Sequence, residues 1–218
     1  MTTVYFVRHV QAQGNIERTF QGAIDTPISA QGEIQCQNLR DFFKDICLDA
    51  VYTSPLKRAV ATANAIADGR CPVITNENIK EINAGIWEGE KIDDVELKWP
   101  GEFETWQNHP WDFVIQGGES MEQVYNRCGA GVKEIIASSK DKTIAVVSHG
   151  CALRSVLANA MGYKLNQLDK VGWVRNAGIT KMEFEEGTVP GVVVYQNKLD
   201  HLDQSTILYG GTFYSRGK

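Results

Sequence analysis

The strongest constraint in the sequence is a pair of short apolar runs that each stop at a histidine. Thr3-Val4-Tyr5-Phe6-Val7 leads into Arg8-His9, and Thr143-Ile144-Ala145-Val146-Val147-Ser148 leads into His149-Gly150. Neither run alternates polar with apolar residues. Each therefore reads as a strand buried on both faces, which calls for a largely parallel sheet covered by helices. Further strands are expected at residues 49–54, 72–75, 179–184 and 192–195, and helices at 30–44, 55–67, 120–138 and 150–160. This alternation predicts an α/β fold with a mainly parallel sheet. In such a sheet the polar segments just after the strands collect along one edge. Arg8-His9, Arg58 and Ser148-His149 are then brought to one crevice from three distant parts of the chain.

Local signals sharpen the elements. Ser29 is placed to cap the helix over 30–44, to which Ile34, Leu39, Phe42 and Phe43 give an apolar side. Pro55 suits the first turn of the next helix. Its alanines (Ala59, Ala61, Ala63, Ala65 and Ala67) allow close packing on the sheet. Arg58 lies in that first turn, where the helix N-terminus adds positive potential facing the crevice. Residues 91–116 are irregular and aromatic, with Trp99, Phe103, Trp106, Trp111 and Phe113. They read equally as a satellite core or as a lid over an apolar substrate pocket. The tail after Leu202 carries Gly210, Gly211 and Gly217 with little periodicity, and its end is expected to be mobile.

Composition narrows the function. With 218 residues, 43% of them hydrophobic, the chain suits one large domain over residues 1–218. A net charge of −5 lacks the basic footprint of a nucleic-acid binder. No apolar run approaches the roughly 18 residues that cross a bilayer, and the N-terminus does not read as a signal peptide. The five cysteines are scattered without a Cys-x-x-Cys pair, which favours reduced thiols and a cytoplasmic protein. His9, His109, His149 and His201 lack zinc-ligand spacing, so no metal and no cofactor is expected.

Two histidines and two arginines in one crevice form a site for an anion. Arginine's planar fork suits phosphate, and a neutral imidazole can attack phosphorus and carry the phosphoryl group. Such chemistry also needs an acid for the leaving oxygen. Glu81, just before a Gly-rich turn, is the best-placed carboxylate.

The motifs around these residues resemble the histidine phosphatase superfamily, the phosphoglycerate mutase-like proteins, along nearly the whole chain. Arg8-His9 resembles the family's Arg-His-Gly signature, and Asn15 and Gln21-Gly22 follow it as in that family. Ser54-Pro55-Leu56-Lys57-Arg58-Ala59 with Thr62-Ala63 resembles its Ser-Pro-x-x-Arg-Ala-x-x-Thr-Ala helix start. Ile79-Lys80-Glu81-Ile82 with Gly85 and Trp87-Glu88-Gly89 resembles its proton-donor segment. Gly117-Gly118-Glu119-Ser120 and Val146-Val147-Ser148-His149-Gly150 complete the series in order.

The resemblance implies a three-layer α/β/α sandwich with residues 86–120 as a lid-like insertion. It implies a metal-independent phosphohistidine mechanism on a phosphorylated small molecule, with His9 as nucleophile. Arg8, Arg58 and His149 would hold the phosphoryl group, Asn15 and Gln21 would assist, and Glu81 would be the proton donor. Val10 departs from the signature glycine: it strains the turn if that turn needs positive φ, and otherwise adds bulk near the phosphate. A phosphomonoester phosphatase is favoured over a cofactor-dependent phosphoglycerate mutase, because residues 91–120 offer only Lys91 and Lys98 as cations. A non-catalytic phospho-ligand or protein-binding module is the alternative from another class. Oligomeric state is open, a homodimer being one arrangement.

Overall fold

The computed structural model describes residues 1–207. Six strands, β1 (Thr2–Arg8), β2 (Ala50–Thr53), β3 (Val73–Thr75), β4 (Thr143–Ser148), β5 (Ile179–Phe184) and β6 (Val192–Lys198), form one sheet in the order β3-β2-β4-β1-β5-β6. The helices are α1 (Gln13–Glu17), α2 (Ala30–Phe43), α3 (Lys57–Ala67), α4 (Ile92–Lys98), α5 (Pro100–Asn108), α6 (Met121–Ser138) and α7 (Gly150–Ala160).

β1 and β4 are central and parallel, with Val7 opposite Val147 and Arg8 opposite Ser148. The two histidine-terminated strands therefore run side by side and end level. β2 pairs in parallel with β4 and β3, whereas β5 pairs antiparallel with β1 and β6. The sheet is mainly parallel with an antiparallel edge. The β5–β6 connection, residues 185–191, is too short for a crossover and makes a hairpin instead.

Side-chain alternation on the central strands builds both cores. Val4, Phe6, Ile144 and Val146 face the layer containing α6 and α7, while Tyr5, Val7, Ala145 and Val147 face α2 and α3. This is the expected three-layer α/β/α arrangement. Ser29 caps α2 by accepting from the Gly32 N–H at 3.1 Å, and Ser120 caps α6 by accepting from the Gln123 N–H at 3.2 Å.

Two details differ from the sequence reading. Pro55 precedes α3 instead of entering its first turn, because extended Leu56 is the N-cap. In α2, Ile34 is exposed, and the buried stripe is Gly32, Gln35, Cys36, Leu39 and Phe43. Gln35 takes the inward position because both ends of its amide find backbone partners. It accepts from the Gln11 N–H at 2.8 Å and donates to the Thr206 carbonyl at 2.9 Å.

The aromatic segment does make a core. Trp87, Trp106 and Phe113 contact one another with ring centroids 4.8 to 6.1 Å apart, and this cluster is continuous with the α6/α7 core. Beyond Leu202 the chain makes a short 3₁₀ turn at Gln204–Thr206. Gly210, Gly211 and Gly217 lie outside the described residues. Among the described residues no helix is long and apolar enough to cross a membrane.

Phe6 is fully buried at the centre of the sheet. Phe6→Ala is expected to lower unfolding free energy by about 3–5 kcal/mol, read as a fall in urea midpoint at unchanged m-value.

Candidate active site

Where β1 and β4 end, the His9 N–H donates to the Ser148 carbonyl at 2.9 Å, which ties the two strand ends together. His9 is 2% exposed, and its Nδ1 lies 2.6 Å from the Val10 carbonyl oxygen. A carbonyl can only accept, so Nδ1 carries the proton and Nε2 keeps its lone pair. Burial, then the charges of Arg58 and Arg8, push the His9 pKa well below its ordinary value, against the opposing Val10 bond. The ring is thus neutral, in the tautomer with Nε2 unprotonated.

Val10 does not strain this turn. It is absent from the positive-φ positions, its N–H donates to Thr62 Oγ1 at 3.0 Å, and its side chain is fully buried with Val7, Leu39 and Ala63. Its bulk goes into the core. It is not part of the cleft wall.

The cleft takes in about 790 Å³ of empty space, the open solvent at its mouth included. Arg8, His9, Asn15, Gln21, Arg58 and Glu81 all line it. Arg8 is nearly buried and donates through Nη1 to the Val174 carbonyl at 2.9 Å. Arg58 is 1% exposed. Its Nη1 and Nη2 donate to the Ile24 and Gly22 carbonyls at 2.7 and 2.9 Å. Gly22 has a φ of +49°, and a Cβ there would collide with the Glu88 carboxylate, so the loop that receives Arg58 requires glycine.

His149 sits deeper than expected. Its ring centroid is 5.1 Å from that of His9, but it is fully buried and does not line the cleft. Its Nδ1 accepts from Arg58 Nε at 3.2 Å, so Nε2 is protonated and donates to Ser54 Oγ at 2.7 Å. Burial, then Arg58, His9 and Arg8, also press the His149 pKa well below its ordinary value. The histidine expected to touch the phosphoryl group has both ring nitrogens occupied, and it reaches the cleft through Arg58.

Asn15 Oδ1 accepts from the Ala12 N–H at 2.9 Å and from Asn176 Nδ2 at 3.3 Å. This fixes the amide and leaves its NH₂ as the donor. Gln21 Oε1 is likewise taken by the Thr26 hydroxyl. The first turn of α3 is closed by Asp25, whose carboxylate accepts from the Lys57 N–H at 2.7 Å. Arg58, not that helix terminus, is therefore what α3 brings to the cleft.

Glu81 is half-buried. Its Oε1 accepts from the Ala152 and Ile82 N–H groups at 2.9 and 3.0 Å, and its Oε2 accepts from Cys151 N–H at 3.2 Å. The free amides at the start of α7 thus hold the carboxylate at the cleft. The cleft lining also includes the apolar side chains of Ile82, Ile92, Trp106 and Trp173. The Arg154 guanidinium lies 4.9 Å from the Trp173 ring centroid. Among the described residues no three His, Cys, Asp or Glu side chains gather as a metal-ligand set.

Sequence reasoning missed Asn176, Thr62 and Trp173. Asn176 lines the cleft and donates to the His9 carbonyl at 3.0 Å. Asn176-Ala177-Gly178 reads only as a loop before a strand, so nothing local marks it. In the sequence Thr62 reads only as part of a helix signature, whereas its hydroxyl receives the Val10 N–H.

The chain matches the histidine phosphatase superfamily (branch 1) over residues 4–198, and it belongs to that family. It is 33% identical over 187 residues to phosphoserine phosphatase 1 of Hydrogenobacter thermophilus, covering 85% of this chain and 88% of that one. It is 28% identical to a probable phosphoglycerate mutase, GpmB, of an Enterobacter species, covering 93% and 96%. The solved structure of YhfR from Bacillus stearothermophilus superposes with a TM-score of 0.85 at 29% identity, covering 93% of this chain and all of that one.

The two buried imidazoles make stability depend on pH. Their folded pKa values lie below the ordinary 6.5, so below that pH the unfolded state binds more protons. Stability is full above about pH 6.5 and is lost as pH falls toward the folded values. In urea unfolding between about pH 6.5 and 5, His9→Asn and His149→Asn are each expected to reduce the slope by about 1.4 kcal/mol per pH unit. Slopes unchanged by both substitutions would contradict neutral imidazoles.

Proposed function

We propose that the chain hydrolyses phosphomonoesters of small molecules through a phosphohistidine on His9, without a metal. The observation that carries this reading is the locked tautomer: Nδ1–H is bound to the Val10 carbonyl, and His9 itself lines a cleft that it shares with two arginines. The neutral Nε2 attacks phosphorus as the ester P–O bond breaks. Arg8 and Arg58, with the amides of Asn15 and Gln21, neutralise the equatorial oxygens. Glu81 gives its proton to the departing oxygen and then takes one from the water that cleaves the P–N bond, releasing inorganic phosphate. In this scheme His149 orients Arg58 through the Nδ1 bond.

Hydrolysis is favoured over mutase chemistry because the wall facing the leaving group is aromatic and aliphatic. Lys98 is paired with Glu90 at 2.6 Å, and neither Lys91 nor Lys98 lines the cleft. Residues 86–120 serve as a lid-like insertion that supplies this wall through Ile92 and Trp106, within one domain spanning residues 1–218. Phosphoserine is the first natural ester to try, given the Hydrogenobacter relative. The mutase reading rests on Arg18 at the rim, which pairs with Asp93 at 3.0 Å and is the cation a carboxylated substrate would meet. The free cysteines support a cytoplasmic setting.

Purified protein is expected to hydrolyse p-nitrophenyl phosphate and phosphoserine with excess EDTA present, and an alkaline quench should trap phosphate on His9. His9→Ala should lose more than about 1000-fold in kcat and trap nothing. Loss of activity on chelation would remove the metal-free mechanism. Isomerisation of 3-phosphoglycerate, stimulated by bisphosphoglycerate and faster than hydrolysis, would select the mutase. Phosphate binding with no ester turned over would select the binding module.

A further inference from the structure

Glu81 sits on an irregular segment between the 3₁₀ turns Glu77–Ile79 and Gly85–Trp87. Such a segment has no ladder of its own to fix it. Beyond the α7 amides on the Glu81 carboxylate, a largely buried ion pair on α6 and the loop before α6 holds its backbone. Arg127 Nη1 donates to the carbonyls of Asn78 and Lys80 at 3.0 and 2.6 Å, and Nη2 donates to the carbonyl of Glu81 itself at 3.1 Å. The same guanidinium makes a forked pair with Glu119, at 2.7 Å from Nε and 2.9 Å from Nη2. Glu119 closes the circuit by accepting from the Asn83 N–H at 2.9 Å, while its own N–H donates to the Asn83 carbonyl at 2.9 Å. Gly118 is pressed against this segment, and a Cβ on it would collide with the Asn83 carbonyl. Burial alone would raise the Glu119 pKa. The Arg127 hydrogen bond, the Asn83 N–H and the charges of Arg127 and Lys80 outweigh it and keep the carboxyl below its ordinary range.

We propose that Arg127 and Glu119 are positioning residues for proton donation: their fork-shaped pair clamps the carbonyls of residues 78, 80 and 81 and so sets where the Glu81 carboxylate meets the leaving oxygen. The inference rests on the reading of Glu81 as the proton donor. Neither residue of the pair lines the cleft, so they act through Glu81. Lysine cannot replace the guanidinium, since one ammonium cannot span three carbonyls and a carboxylate in a single plane. Proton donation matters for a poor leaving group, such as an alkoxide, and little for an activated phenolate. Misplacing Glu81 therefore slows alkyl esters selectively, whereas general damage to the fold slows both classes together.

The test compares kcat/KM for phosphoserine and for p-nitrophenyl phosphate in wild type, Glu81→Gln, Arg127→Lys and Glu119→Gln. This ratio reports steps up to leaving-group departure and leaves out breakdown of the phosphoenzyme. Glu81→Gln is expected to lose at least about 100-fold on phosphoserine and far less on the aryl ester. Arg127→Lys and Glu119→Gln should each lose about 10-fold or more on phosphoserine and under about 3-fold on p-nitrophenyl phosphate, with a native circular dichroism spectrum. Equal losses on both substrates in the pair variants, or no loss on either, would overturn the positioning role while leaving Glu81 as donor. A Glu81→Gln enzyme without leaving-group selectivity would overturn both. Glu119→Gln keeps the side chain's shape and size, so it carries the test if the Arg127 variant does not fold.

Discussion

Everything at the cleft depends on the parallel pairing of β1 with β4. That register puts Arg8 beside Ser148 and lets the His9 N–H reach the Ser148 carbonyl. Two chain segments some 140 residues apart in sequence then end at the same height. A slip of β1 by one residue would turn Val7 out of one core and into the other while Val147 stayed, because strand side chains alternate. Burial on both faces therefore fixes the register, and the register fixes the spacing of the histidines. The stability of the sheet and the geometry of the site are the same constraint.

A second dependence runs through neutral nitrogen atoms. Each buried histidine holds one proton and one lone pair, and each has its tautomer chosen by a partner that leaves no alternative. For His9 the partner is a carbonyl; for His149 it is the Nε–H of Arg58. A cation beside a buried imidazole is costly if that imidazole is charged. The arginines at the cleft thus add to burial in keeping both rings neutral.

The fold class, the strand ends and most of the cleft were legible because they rest on short-range patterns. Runs such as residues 143–148 show double-sided burial directly, and Ser29 and Ser120 mark their helices. Arg8, His9, Asn15, Gln21, Arg58 and Glu81 line one cleft, as strand-end placement and motif order led one to expect. What the sequence hid was long-range. Asn176 supports His9 from 167 residues further along the chain, and Ile34 turns outward because Gln35 finds two distant backbone partners. The depth of His149 was hidden for the same reason: it follows from Arg58 and Ser54 occupying its two nitrogens. Val10 was judged from its own conformational preferences, whereas its surroundings in the core decide what it does.

The start of α7 does two jobs within a few residues. His149 is its N-cap, and the next amides hold the Glu81 carboxylate. The deep histidine and the amides that grip the proposed acid thus belong to one helix start, and His9 is tied to it through Ser148. The Trp106, Trp173 and Ile92 side chains of the lining come instead from short helices and loops. In the proposed reading, chemistry and choice of substrate are carried by separate pieces, and the second can drift while the first stays put.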